Sequence, residues 1–109
     1  MHELGIARNI VSIVTEKAQG KPVRRVTIEI GKLSAVLPEA IRFCFDIVSQ
    51  ETVVENAELE IIEISGTAVC RTCGSQFELK QLYERCPCGS ADITRLTGEE
   101  LLVKQMVTA

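Results

Sequence analysis

The segment VRRVTIEIGKLSAVLPEAIRFCFDIV, residues 23–48, decides the fold because its hydrophobic period changes once along its length. Over VRRVTIEIG, Val26, Ile28 and Ile30 alternate with Thr27 and Glu29, the period-2 pattern of a strand with one buried face. Gly31 closes it. After the turn-like KLSAVL, Pro38 suits the first turn of a helix, where its missing N–H would have had no partner anyway. Glu39 favours the positive end of the helix dipole. Ile41, Cys44, Phe45 and Val48 then follow at i, i+3, i+4 and i+7, with Phe43 and Ile47 widening the apolar stripe. Cys44 reads as a packing thiol on that stripe.

On the amino-terminal side, ELGIARNIVSIVTEKA (3–18) puts Leu4, Ile6, Ala7, Ile10, Val11, Ile13, Val14 and Ala18 on half of a helical wheel, and Gly20 and Pro22 supply the stop. On the carboxyl side, ELEIIEI (58–64) reads as a second strand. Its alternation changes parity between Ile61 and Ile62, so either a bulge sits there or both faces are partly covered. LLVKQMV (101–107) is a last, weakly alternating strand. The pattern predicts an α+β fold: a small mixed three-stranded sheet covered by two helices, with an inserted four-cysteine, zinc-ribbon-like lobe. The expected boundaries are 1–66 plus 98–109 for the α+β domain and 67–97 for the lobe.

A chain of 109 residues has room for one modest domain but not for two independent hydrophobic cores. Its net charge of −3 offers no excess of cations to draw it onto phosphate backbones, so nucleic acid is not an expected partner. No apolar run approaches the roughly 20 residues that span a bilayer, and Glu3, Arg8, Asn9, Glu16 and Lys17 interrupt any signal-like stretch. A cytoplasmic protein without membrane contact is expected. In that reducing setting, thiols at short spacing more often hold metal than form disulfides.

Cys70 and Cys73 form a C-x-x-C pair and Cys86-Pro87-Cys88 a C-x-C pair, each followed directly by a glycine, Gly74 or Gly89, that permits a tight turn. Two such pairs can close a tetrahedron around zinc at about 2.3 Å per Zn–S bond. A lobe this short buries little apolar surface, whereas structural zinc contributes about 10–16 kcal/mol to such units. Four unrelated buried thiols, or a redox role for Cys70 and Cys73, are the competing readings; a thioredoxin-like pair wants a strand-to-helix junction, and no helix pattern follows. Four thiolates leave no position for water, so zinc here would be structural. The shorter second bite predicts local backbone strain. The lobe carries one net positive charge before thiolates and ion are included and one net negative charge after, with Phe77 and Tyr83 its only aromatics, which favours protein over nucleic acid as its contact.

His2 is the sole histidine. The Met1 amine, the His2 backbone nitrogen and imidazole, and the Glu3 carboxylate lie within one short segment, a nitrogen-rich set that suits tetragonal Ni(II) or Cu(II). An exposed terminus without a ligand role is the other reading. With one histidine, no G-x-S-x-G and no phosphate-cradling glycine loop, the chain shows no nucleophile-and-base pair, and no enzymatic activity is expected.

Taken in order, MHELGIARNIV, VTIEIGKLSAVLPEA, IRFCFDIV, CRTC and CPCGS resemble the HypA/HybF family of hydrogenase nickel-incorporation proteins over essentially the whole chain. The resemblance implies a nickel metallochaperone that binds Ni(2+) transiently through His2 and delivers it to the large subunit of NiFe hydrogenase. It also implies a HypB-type GTPase partner, in some organisms a role with urease maturation proteins, and structural Zn(2+) on Cys70, Cys73, Cys86 and Cys88. The family's second pair is usually C-P-x-C-G, one residue longer than here. A zinc-ribbon interaction module without a nickel role is the competing function.

Overall fold

The computed structural model describes residues 3–109. Contacts gather the chain into two compact units: one contains the chain up to Glu29 with Val36–Ile62 and Leu102–Ala109, the other Ile30–Ala35 with Glu63–Leu101.

In the first unit, α1 (Glu3–Ala18) buries Ile6, Ala7, Ile10, Val11, Val14 and Ala18, the i, i+3/i+4 rows of its apolar face. Leu4 and Ile13, expected on that face, are instead exposed at its margin. The helix ends where Gln19 and Gly20 turn to positive φ. β1 (Val23–Gly31) leads to α2 (Pro38–Val48), which has an extended Leu37 at its N-cap, Pro38 in its first turn and the Ser49 N–H bonded back to the Phe45 carbonyl. The two helices pack on each other.

β2 (Glu58–Ile64) and β6 (Leu101–Thr108) flank β1 in the order β2-β1-β6. Side-chain bonds Arg25–Glu58 and Thr27–Glu60 and the Lys32 N–H to Ile64 carbonyl bond advance in step, so β2 runs parallel to β1. The Gly31–Glu100 and Pro22–Ala109 backbone bonds run in opposite senses along the two strands, so β6 is antiparallel. The sheet is therefore mixed, and α2 is the crossover that a parallel β1–β2 pair requires.

The central place of β1 corrects its sequence reading. Val26, Ile28 and Ile30 are buried as expected, but Thr27 is buried too, its hydroxyl bonded to a Glu60 carboxylate oxygen at 3.0 Å. Glu29 is half-buried, 3.8 Å from the Lys104 ammonium. A strand with a neighbour on each side is screened even on its polar face. Two further corrections fall on α2: only Ile41 and Phe45 are buried, while Phe43 and Ile47 point to solvent, and Cys44 is half-buried rather than enclosed. In β2, Ile61 and Ile62 are both half-buried where the parity changes.

The second unit holds strands that the sequence pattern did not announce: β3 (Thr67–Cys70), β4 (Gln76–Glu78) and β5 (Ile93–Thr97). β3 lies between the other two and is antiparallel to both, with a register shift at Thr67/Ala68. Its core is small: Leu33, Ala68 and Leu79, with Phe77 and Ile93 packed against them. Gly31 is required here by close approach, since a Cβ would stand 2.0 Å from the Gly98 carbonyl oxygen.

Candidate metal centre

β3 delivers Cys70 to the mouth of a turn that ends at Ser75; a second turn runs from Cys86 to Ser90. Both close with the same three bonds. The Cys70 N–H donates to the Ser75 carbonyl at 2.9 Å, the Gly74 N–H to the Cys70 carbonyl at 2.9 Å, and the Cys73 N–H to the Cys70 sulfur at 3.4 Å. In the second turn the Cys86 N–H reaches the Ser90 carbonyl at 3.0 Å, the Gly89 N–H the Cys86 carbonyl at 2.7 Å, and the Cys88 N–H the Cys86 sulfur at 3.4 Å. The C-x-C pair thus builds the same knuckle with one residue fewer. The strain expected of its shorter bite is absent from the φ angles, because the one positive value in the turn, +96°, falls on Gly89.

The two knuckles bring all four thiols together: their sulfurs lie within 4.8 Å of one another, with Cys70–Cys88 at 3.7 Å and Cys73–Cys86 at 3.6 Å. A tetrahedron with Zn–S bonds of about 2.3 Å has edges of roughly 3.8 Å, so the cluster has the size and donor set for one thiophilic ion such as zinc. Cys70 and Cys86 are buried, Cys73 and Cys88 exposed. The turns are tied by a 2.9 Å bond between the Thr72 and Ser90 hydroxyls. Arg71 anchors the first to β5, its Nε donating to the Thr94 hydroxyl and its backbone N–H to the Asp92 carbonyl.

Without an ion the thiols are electrostatically unequal. The Cys73 backbone N–H draws Cys70 down to about 6, against the resistance of burial. Bonds from the side chain and backbone of Ser75 lower Cys73. For Cys86 the Cys88 backbone N–H pulls downward, but burial and the neighbouring sulfurs of Cys88, Cys73 and Cys70 outweigh it and push the thiol up to about 12. Part of the cluster is therefore ready as thiolate at neutral pH, and binding an ion expels the rest of its protons.

The redox reading of Cys70 and Cys73 loses its structural premise, since β3 is followed by a turn and not a helix. Of the nitrogen and carboxylate set proposed for nickel, Met1 and His2 lie outside the described residues, and Glu3 is the half-buried first residue of α1. The serines were missed. A repeated Cys-Gly-Ser, at 73–75 and 88–90, was the signal for them: each serine carbonyl closes its knuckle, and Ser75 also lowers the Cys73 thiol.

Comparison with known proteins places this geometry in context. The family model described as hydrogenase/urease nickel incorporation, metallochaperone, hypA matches residues 1–108. The hydrogenase maturation factor HypA of Trichormus variabilis is 58% identical over 106 residues, covering 97% of this chain and 94% of that protein. The protein of that name in Geotalea daltonii is 51% identical over 105 residues, covering 95% of this chain and 96% of its own. Two solved structures share the fold at 24% identity: the nickel metallochaperone HypA from Helicobacter pylori in solution, with a TM-score of 0.71 over 99% of this chain and 97% of that one, and a second HypA solution structure, with 0.74 over 100% and 97%. The sequence matches extend over both helices, the mixed sheet and the four-thiol cluster, and the chain belongs to the HypA family of hydrogenase and urease nickel-incorporation metallochaperones.

Proposed function

We propose that the chain carries Ni(2+) transiently at its amino terminus, through His2 with the Met1 amine and the Glu3 carboxylate, and passes it to the large subunit of NiFe hydrogenase in the cytoplasm. A HypB-type GTPase is its partner in that transfer, and urease maturation proteins take the same role where urease is served. Zn(2+) on Cys70, Cys73, Cys86 and Cys88 is structural. Residues 1–66 with 98–109 form the nickel-binding domain and 67–97 the zinc-binding domain. The chain binds and hands on its ion without catalysing a reaction.

The observation that carries this reading is the convergence of the four thiols in a nickel-incorporation family. Four sulfurs within 4.8 Å fill a tetrahedron, leaving no open position for a cargo ion that must enter and leave. Nickel then needs other ligands, and a nitrogen-rich set lies at the chain's start. An amino-terminal extension converts the Met1 amine into an amide, a poor ligand while it keeps its proton. Nickel titration should therefore give about one tight Ni(2+) per untagged chain, lost in His2→Ala and greatly weakened by a short extension, with zinc content and circular dichroism unchanged. Equal nickel affinity in all three proteins would remove the terminal site, and the absence of tight nickel binding in the untagged chain would favour an interaction module without cargo.

A further inference from the structure

The four thiols of the cluster divide by access. Cys70 and Cys86, which open the two knuckles, are buried, whereas Cys73 and Cys88, which close them, are exposed. The Cys70–Cys88 contact of 3.7 Å and the Cys73–Cys86 contact of 3.6 Å therefore each run from an exposed sulfur on one knuckle to a buried sulfur on the other. Bonds that involve no sulfur hold the knuckles face to face: Thr72 to Ser90 at 2.9 Å between hydroxyls, and Arg71 to Asp92 through its backbone N–H at 2.9 Å and its guanidinium at 3.5 Å. A link within the second knuckle is disfavoured, because a Cys86–Cys88 disulfide would close a loop with only the stiff Pro87 between its ends. Both of its sulfurs must then find partners on the first knuckle. The observed contacts select which, and each has only to shorten to an S–S bond of about 2.05 Å.

An oxidant from solvent meets the exposed sulfurs first. The Cys73 sulfur attacks the terminal oxygen of a hydroperoxide, the O–O bond breaks, and water or an alcohol leaves, its proton taken from the thiol or, where the sulfur is ionised, from solvent. Cys73 is then a sulfenic acid. The Cys86 sulfur attacks the Cys73 sulfur, the S–O bond breaks, the S–S bond forms, and the oxygen departs as water. The two sulfurs have together given two electrons to the peroxide. Cys88 and Cys70 are joined by the same steps. A disulfide sulfur lacks the negative charge with which a thiolate binds metal. We propose that Cys73 and Cys88 are oxidation sites, at which a hydroperoxide bridges the knuckles through Cys73–Cys86 and Cys70–Cys88 disulfides and the cluster gives up its ion. This assignment rests on zinc being that ion, and it uses no disulfide within the C-x-x-C pair.

The test titrates the zinc-loaded full chain with hydrogen peroxide in the presence of a chromophoric chelator, with Cys44→Ser alongside to remove the thiol outside the cluster. In both proteins about one zinc per chain should be freed as about two equivalents of peroxide are consumed, and a dithiol reductant with added zinc should restore the loaded state. Trypsin cuts after Arg71 and Arg85, so Cys70 and Cys73 fall on separate peptides while Cys86 and Cys88 share one. The oxidised chain should therefore yield these three peptides joined as one species, in which fragmentation places Cys73 on Cys86 and Cys70 on Cys88. Disulfides within the knuckles, or the pairing Cys70–Cys86 with Cys73–Cys88, would overturn the inference. So would zinc retained with all four thiols intact, release accompanied only by sulfinic acids that the reductant does not reverse, or release that needs Cys44. A failure of the zinc assignment shows separately, as a chain that takes up no zinc before peroxide is added, and the peptide map then still decides the pairing.

Discussion

Gly89 shows how one residue sets the quality of the cluster. Its φ of +96° turns the chain where the Ser90 carbonyl comes back to the Cys86 N–H after a bite of only three residues, and nothing lies within 4 Å of where a Cβ would sit. Gly89→Ala should therefore act through backbone conformation and not through a clash. A positive φ costs an L-residue about 1–2 kcal/mol, so zinc affinity should fall roughly tenfold in Gly89→Ala while all four ligands remain. Competition with a chromophoric chelator measures this; unchanged affinity would mean the short knuckle can close without the left-handed turn. The four cysteines that converge could be read from their spacing, and the glycines that turn the chain from their place after each pair. The hydrogen bonds that equalise the two knuckles could not, because they join backbone groups whose meeting depends on the turn already being folded.

On the scale of the element, α2 separates burial from hydrophobicity. Its sequence offers apolar residues around much of the wheel, and the stripe Ile41, Cys44, Phe45, Val48 was legible, but the pattern gave no reason for Phe43 and Ile47 to face water. Phe45→Ala should cost about 3–5 kcal/mol of unfolding free energy, the usual result of emptying a packed aromatic site. Phe43→Ala, on the same helix, should change it by no more than about 0.5 kcal/mol. Urea unfolding of the two variants makes the comparison, and equal losses would contradict the orientation of the helix. The strands divide in the same way. β1 and β2 are long enough for alternation to show, and β6 announced itself only weakly because on an edge no face is fully covered. β3, β4 and β5 have four, three and five residues, too few for any periodicity, and are specified by contacts distant in sequence.

For the molecule as a whole, the two compact units rest on different sources of stability. The helical unit encloses Val14, Val26, Ile28, Ile41, Phe45 and Val54 almost completely, whereas the cysteine unit buries a shorter set, Ile30, Leu33, Ala68 and Leu79, beside Cys70 and Cys86. Removing the ion with a strong chelator should therefore melt the second unit first. Hydrogen exchange should show lost protection over 67–97 with α1 and α2 still protected; uniform loss would mean the chain unfolds as one body. The outer strand β2 has a consequence of another kind. Its sequence, ELEIIEI, unites four aliphatic residues with a position at the edge of the sheet among the described residues, the combination that recruits other chains into fibrils. Glu58, Glu60 and Glu63 are all exposed along it and act as gatekeepers. The protein's colloidal lifetime, as much as its folding, is therefore written into three glutamates on one edge.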